Sequence, residues 1–339
     1  MPSGSGAMDA EHRHRVAIAD CGTNTFTLHI ARITAEGWAT VFQQRRLVRL
    51  GADSFRTGRL APDRMRRGLD VLSSFREAAL NLGVTHLRAV GCSALRDAAN
   101  APDFLRRAAD LGWAIDVIDG DQEAHWIHLG VADTVPLDSL GDRVALTLDI
   151  GGGSVECVVW DREQVFGRYS LDMGVARLTD WIKPADPLRA SDVASLKKIV
   201  DAALDPVMLD LGDRQPTVLV GTSGAFNALA AVEDADAAWH DPRIADALPL
   251  PTLKSRCQAL SKLDKAALRD TPGIHPDRVP YMALACVLID HVLDRFPIIE
   301  EVRRSRHTVA EGILVEATRG ISKGLSSEWR AVDGGGEED

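Results

Sequence analysis

The sequence predicts an α/β protein built as two similar halves that face each other, and three observations carry that expectation. Apolar strand patterns alternate with helical ones, a strand-turn-strand pattern occurs twice with like residues at like spacing, and three strands run into Gly/Ser/Thr-rich loops. The 339 residues, 45% hydrophobic and 26% charged, suffice for about two domains with real cores.

The elements follow in order. Apolar alternation predicts a strand over Val16–Asp20, a turn, a second strand over Phe26–Ile33 and a third near Trp38–Arg46. A helix starts at Pro62, because proline suits the first turn and Met65, Leu69, Leu72, Ala79 and Leu82 recur near helical spacing. A strand over Thr85–Val90, a helix over Pro102–Leu111, a strand over Ala114–Ile118 and a helix from about Asp121 complete a βββαβα order. After a loop with Pro136 and Gly141 the pattern restarts at Val144, which separates an N-terminal unit, 13–137, from a C-terminal unit, 138–307. The ends, 1–12 and 328–339, are small and polar and are expected to be disordered tails.

The restart is an internal duplication. VAIADCGTNTFTLHIAR (16–32) and ALTLDIGGGSVECVVWD (145–161) align without a gap, placing Asp20 over Asp149, Gly22 over Gly151, Thr25 over Ser154 and Thr27 over Glu156. In both copies a second strand begins within about four residues of the Asp-x-Gly, so each glycine loop is a hairpin turn. That excludes a dinucleotide fingerprint, which opens a helix, and no Gly-Lys-Ser/Thr is present for a Walker loop. Two uses of such a turn remain. Its N–H groups can form a nest for phosphate oxygens, with the Ser154 or Thr25 hydroxyl as a further donor, or glycine can simply supply a positive φ. Two matched copies, each with an Asp at the strand end, favour the nest. A third loop, Gly221-Thr222-Ser223-Gly224, follows an apolar strand and opens a helix, where N–H groups and dipole both attract an anion.

Composition narrows the function. With 39 Lys plus Arg against 49 Asp plus Glu, the net charge of −10 argues against a nucleic-acid binder. The longest apolar run, Met282 to Ile289, is far too short to span a membrane, and the first residues lack an apolar leader core. Cys21, Cys92, Cys157, Cys257 and Cys286 are odd in number and widely spaced, as expected of buried thiols in a reducing compartment, and a cytoplasmic location follows.

Several segments together resemble the exopolyphosphatase/guanosine pentaphosphate phosphohydrolase family of the actin, sugar-kinase and heat-shock-chaperone superfamily. They are DCGTNTF (20–26), GCSALRDAAN (91–100), GDQEAHWIHLGV (120–131), DIGGGSVE (149–156) and GTSGAFNAL (221–229), and the likeness runs from about Val16 to Leu314. The resemblance implies two ribonuclease H-like domains with the active site in the cleft between them, the helix near 308–325 joining the N-terminal one. It also implies the short, two-domain kind, without the helical C-terminal region of longer members.

Roles follow from the same resemblance. Glu123, on its own merely a carboxylate favoured in the first turn of a helix, matches the family's catalytic glutamate, which activates the attacking water. Arg96 matches the phosphate-contacting arginine, whose planar guanidinium suits a bidentate grip. Phosphate binding is expected from Gly22, Thr23, Asn24, Thr25, Gly151, Gly152, Gly153, Ser154, Gly221, Thr222, Ser223 and Gly224. Asp20, Asp149 and Glu156 complete the catalytic set; facing a polyanion they would repel it unless a divalent cation lies between, so they are the expected ligands of Mg²⁺, with Mn²⁺ as the alternative.

The remaining polar residues read more plainly. Asn100 is expected as a helix cap and His125 and His128 as helix-face residues; Arg45, Arg46, Arg49 and the run Arg303-Arg304-Ser305-Arg306-His307 could attract a phosphate chain, but a charge run is more often a solvated face. Two departures from the family pattern, Ala310 in Thr308-Val-Ala-Glu-Gly312 and Pro280 in Arg278-Val-Pro-Tyr-Met, imply a different nucleotide or distal-chain side, so the resemblance does not extend to chain-length preference or guanosine pentaphosphate use. The expected function is exopolyphosphatase, with inorganic polyphosphate as substrate. Guanosine pentaphosphate hydrolysis is the alternative, a non-catalytic alarmone- or nucleotide-binding regulator the reading from another class, and a kinase of the same superfamily a weaker one. The expected partners include no nucleic acid and no membrane; a homodimer is the assembly considered.

Overall fold

The computed structural model describes residues 15–34, 36–232, 243–320 and 325–332. Strands β1 (Arg15–Cys21), β2 (Thr25–Thr34) and β3 (Gly37–Leu47) form an antiparallel meander, and β4 (His86–Gly91) and β5 (Ile115–Val117) extend it in parallel beyond β1. The second half repeats the plan. β6 (Ala145–Ile150), β7 (Val155–Trp160) and β8 (Val165–Leu171) are antiparallel, β9 (Val218–Thr222) lies parallel to β6, and a short β10 (Asp246–Ala247) pairs with β11 (Glu301–Arg304), which lies parallel to β9. The sheet orders β3-β2-β1-β4-β5 and β8-β7-β6-β9-β11 are therefore the same, and the fold is two ribonuclease H-like α/β halves. The duplication seen in the sequence is also one of register: Asp20 pairs across to Thr27 as Asp149 pairs across to Glu156.

The helices are α1 (Pro62–Asn81), α2 (Ser93–Asp97), α3 (Ala101–Asp110), α4 (Gly120–Thr134), α5 (Val175–Ile182), α6 (Ala190–Leu211), α7 (Ser223–Ala231), α8 (Leu250–Leu260), α9 (Met282–Arg295) and α10 (Val309–Gly320), with single turns at Ser54–Thr57, Leu137–Leu140 and Lys265–Asp270. Pro62 opens α1 as expected, and its Leu69, Leu72 and Phe75 bury against Phe26, Leu28 and Ile30 of β2 and Phe104 of α3. In the second half Leu146 and Leu148 of β6 meet Leu204 and Val207 of α6, Leu253 of α8 and Leu288 of α9. Each such side chain contributes about 1.5–3 kcal/mol of transfer free energy.

A third core lies between the sheets and positions the site. Val16, Ile18 and Val90 from one sheet and Val158, Trp160, Val218 and Val220 from the other cluster with Ala124, Ile127 and Val131 of α4 and Ile313 and Leu314 of α10. Where α4 and α10 cross, only glycine fits, since a Cβ on Gly312 would lie 1.8 Å from the Trp126 carbonyl oxygen and one on Gly130 2.7 Å from that of Thr308. α10 thus returns from late in the chain to pack on α4 and on β1, β2 and β3.

Three local expectations change. The stretch 1–12 lies outside the described residues, as does 333–339, but within the other expected tail Trp329 is buried and a final strand, β12 (Arg330–Ala331), pairs antiparallel with β4. Asn100 occupies the N-cap position of α3 without capping it; its amide instead grips both backbone groups of Leu60, at 2.8 and 3.0 Å. The arginine run is no solvated face. Arg303, Arg304, Ser305 and His307 are buried because β11 lies between β9 and β10, and the arginines are matched by Glu301 and Asp246.

Candidate active site

A cavity of about 450 Å³ opens between the halves, lined by the ends of β1 and β6, their glycine turns and the start of α4. The reason for the glycines is close approach. Gly22 and Gly151 are equivalent, each with its missing Cβ 2.9 Å from a carbonyl oxygen three residues on, Thr25 and Ser154. A Cβ on Gly152 would lie 2.7 Å from Asn24 Nδ2 and 2.9 Å from Thr23 Cβ, so the two turns touch across the cleft, and one on Gly153 would lie 2.2 Å from Ser93 Oγ. None of these four glycines has a positive φ, which removes the plainer reading of the turns.

The turns are held from behind. Amides at the start of α5 donate to all three glycine carbonyls: Val175 to Gly151 (3.1 Å), Ala176 and Arg177 to Gly152 (2.8 and 3.1 Å), and Gly174 to Gly153 (3.3 Å). In a trans peptide the following N–H points the opposite way, so the amides of Gly152, Gly153 and Ser154 are turned from α5. The first turn is built alike, with Thr23 O accepting from Gly51 N (2.9 Å) and Asn24 O from Val48 N and Arg49 N (2.9 and 2.7 Å).

Asp20, Glu123, Asp149, Glu156 and Glu311 all line this cavity, and all but Asp20 are buried by accessible surface. Burial first, then the negative charges of Glu123, Asp149 and Glu311, pushes Asp20 up to about 7, Arg45 opposing in part. Burial also carries Asp149 to about 7, Ser223 offsetting it and Glu123 adding to it. Glu156 is driven well above the usual carboxylate range by burial and by Glu123 and Asp149, against hydrogen bonds from Ser154 and Ser170. Burial raises Glu123 as well, opposed by Arg96. Glu311 goes the other way: contact with His29, whose Nδ1 stands 3.1 Å away off hydrogen-bond geometry, together with His307 and the Thr308 N–H, outweighs burial and holds it at about 2.

Such a cluster of buried acids, with Asp20 Oδ1 lacking any hydrogen-bond partner, has the chemistry of a divalent-cation site. Among the described residues no three His, Cys, Asp or Glu side chains form a ready-made metal cage. An ion held by one or two carboxylates, with its other oxygens from water and substrate, is compatible with this lining.

Most of the expected site residues meet here, and a few do not. Gly22, Thr23, Asn24, Thr25, Gly151, Gly152, Gly153, Ser154, Ser223 and Gly224 line the cavity. Gly221 and Thr222 do not: Phe226 packs on Gly221, and the Thr222 hydroxyl donates to His307 O at 2.6 Å. Arg96 lies beside the cavity rather than on its lining, its Nη1 donating to Ile118 O (2.8 Å) and to Glu123 Oε2 (3.2 Å), so in this structure it orients the glutamate. Ser223 adopts φ 67°, a strained left-handed conformation at the start of α7, of the kind that gathers at functional sites.

Sequence reasoning missed Arg278, whose guanidinium covers Gly224 where a Cβ would be 1.7 Å away, and Glu311, Asn227 and Ser93, which also line the cavity. Arg45 and Arg306, expected more often as a solvated face than as attractors of a phosphate chain, line it too. Gly224 next to a positive residue 54 positions later has no local signature; only the fold brings them together.

Comparisons with known proteins bear on the family and the fold. The model of the Ppx/GppA phosphatase family matches residues 29–319. The chain is similar to Exopolyphosphatase 2 of Mycobacterium tuberculosis, 29% identical over 316 residues that cover 88% of this chain and 97% of that protein. It is also similar to the guanosine-5'-triphosphate,3'-diphosphate pyrophosphatase of Vibrio cholerae, 34% identical over 217 residues, but these cover 63% of this chain and 42% of that protein. Among solved structures, an exopolyphosphatase from Cytophaga hutchinsonii superposes with a TM-score of 0.84 at 29% identity, covering 91% of this chain and 99% of that one. The Aquifex aeolicus member of the Ppx/GppA protein family gives 0.74 at 25%, covering 92% and 99%.

Proposed function

This chain belongs to the Ppx/GppA phosphatase family, and from that premise we propose that it is an exopolyphosphatase, releasing terminal orthophosphate from linear polyphosphate. The observation that carries the proposal is the placement of Glu123: a buried carboxylate, held by Arg96, entering the same cavity as two touching glycine turns.

In this reading the terminal phosphate sits between the turns, its oxygens taking hydrogen bonds from the Gly152, Gly153 and Ser154 amides and from the Thr25 hydroxyl. Glu123 accepts a proton from a water as its oxygen attacks the terminal phosphorus. The bridging P–O bond breaks, and its electron pair leaves with the shortened chain. Burial raises the proton affinity of Glu123, which suits a base near neutrality. Arg45, Arg278 and Arg306 supply positive charge along the lining. Bound at Asp20, Asp149 or Glu156, Mg²⁺ would supply charge neutralisation for the phosphate oxygens.

Guanosine pentaphosphate is the second substrate class, favoured by the likeness to the Vibrio pyrophosphatase. Polyphosphate takes precedence because the exopolyphosphatase relative aligns over nearly its whole length. The test is orthophosphate release from short polyphosphate, long polyphosphate and guanosine pentaphosphate, with Mg²⁺ and with chelator. Fastest release from polyphosphate supports the proposal. Faster release from guanosine pentaphosphate replaces it with the second substrate class, and binding of guanosine tetraphosphate with no release at all replaces it with the regulator.

A further inference from the structure

Arg177, in the first turn of α5, is almost wholly buried at 7% exposure, yet it touches groups from both halves of the molecule. From the C-terminal half its Nε donates to Gly153 O at 2.6 Å, and its Nη2 stands 3.0 Å from Asp172 Oδ1. From the N-terminal half the same Nη2 donates to Ser93 Oγ at 2.9 Å and to Asp97 Oδ2 at 2.6 Å. Its Cζ lies 4.2 Å from the centre of the Phe55 ring and 5.5 Å from that of Trp181. Phe55, Ser93 and Asp97 precede the restart at Val144, while Gly153, Asp172 and Trp181 follow it.

The two elements joined are those whose spacing decides the site. Gly153 is the last glycine of the C-terminal turn, and Ser93 opens α2, the helix that carries Arg96 onto Glu123. We propose that Arg177 is a positioning residue that clamps the halves together, fixing the distance between the phosphate turn and the Arg96–Glu123 pair. Opening the cleft would strip its Ser93, Asp97 and Phe55 contacts at once and leave a buried guanidinium short of partners. Lysine does not replace it, because one ammonium lacks the planar face that lies over the Phe55 ring while Nε and Nη2 donate in fixed directions to the Gly153 carbonyl, the Ser93 hydroxyl and the Asp97 carboxylate. The consequence for catalysis rests on the function proposed above; the clamp itself does not.

Both parts are tested in the full chain. All five native cysteines are buried, so spin labels at Leu80→Cys and Leu209→Cys, exposed on α1 and α6, report the distance between halves. The clamp predicts one narrow distance in the parent and a longer or broader distribution in Arg177→Lys, Arg177→Ala and the milder Asp97→Asn. For orthophosphate release it predicts a fall in kcat/KM of about 100-fold for Arg177→Ala, in the range of a misplaced catalytic group, and recovery of about tenfold with added guanidinium ion. Distance distributions that superpose on the parent in both Arg177→Lys and Asp97→Asn overturn the clamp. A parent that releases no orthophosphate overturns the proposed function instead, and the distances still decide the clamp.

Discussion

Replacing Asp149 by Asn should make the metal-free protein more stable while abolishing turnover, the reverse of what loss of a structural residue does. Asp149 is buried, and in the fold its carboxyl titrates at about 7 against 3.8 in a model peptide. An acid whose pKa is raised by folding favours the fold at low pH and loses that contribution as pH rises between the two values. From that shift, Asp149 costs the fold about 1.6 kcal/mol at pH 5, where its carboxyl is protonated in the fold, and ~4 kcal/mol at pH 8, where it is ionised. Asp20, Glu123 and Glu156 share the same repulsion, so roughly 2–4 kcal/mol is the expected gain of Asp149→Asn at pH 8. At roughly 2 °C per kcal/mol for a chain of this size, Tm rises by about 4–8 °C. The assay is thermal melting in chelator at pH 5 and pH 8, repeated with Mg²⁺. The gain should be much larger at pH 8, and Mg²⁺ should stabilise the parent more than the variant. A variant no more stable than the parent at pH 8, or a gain independent of pH, would refute the electrostatic reasoning.

Two other substitutions probe neighbouring features. Gly152→Ala has an acceptable backbone but puts a methyl 2.7 Å from Asn24 Nδ2 and 2.9 Å from Thr23 Cβ, forcing the turns apart; kcat/KM for orthophosphate release should fall about 10–100-fold, while urea unfolding shifts by about 1–3 kcal/mol. Glu311 is depressed from 4.5 to about 2, so its contribution is present above pH 4.5 and lost on acidification toward 2; Glu311→Gln should cost about 3 kcal/mol at neutral pH and flatten the acid limb of stability, measured by urea melts from pH 3 to 7.

Much of this architecture is legible in the chain because it depends on local signals. Strand alternation, Pro62 at a helix start and the repeated Asp-x-Gly each leave a mark within a few residues, and the repeat places Asp20 and Asp149 on equivalent strand ends, with Glu156 across from Asp149 where the first copy has Thr27. The glycine turns are legible as turns, but the contact between Gly152 and Asn24 is not, because it joins residues 128 positions apart in different halves. Charge is the least legible property. Arg303 and Arg304 look like a solvated run until β11 is seen between two strands, and Arg278 becomes a site residue only when it folds over Gly224. Arg96 shows the remaining limit: its proximity to the site is foreseen, but its partner is Glu123, not an open phosphate position.

The central claim is that Glu123 is the base of a hydrolytic site. Its most direct test is orthophosphate release from polyphosphate, with Mg²⁺, by the parent chain and by Glu123→Gln, alongside polyphosphate binding to each. A positioned general base contributes about 10²–10⁴-fold, so the variant should lose that much in kcat while binding polyphosphate at least as tightly. Equal rates in the two proteins would contradict the account.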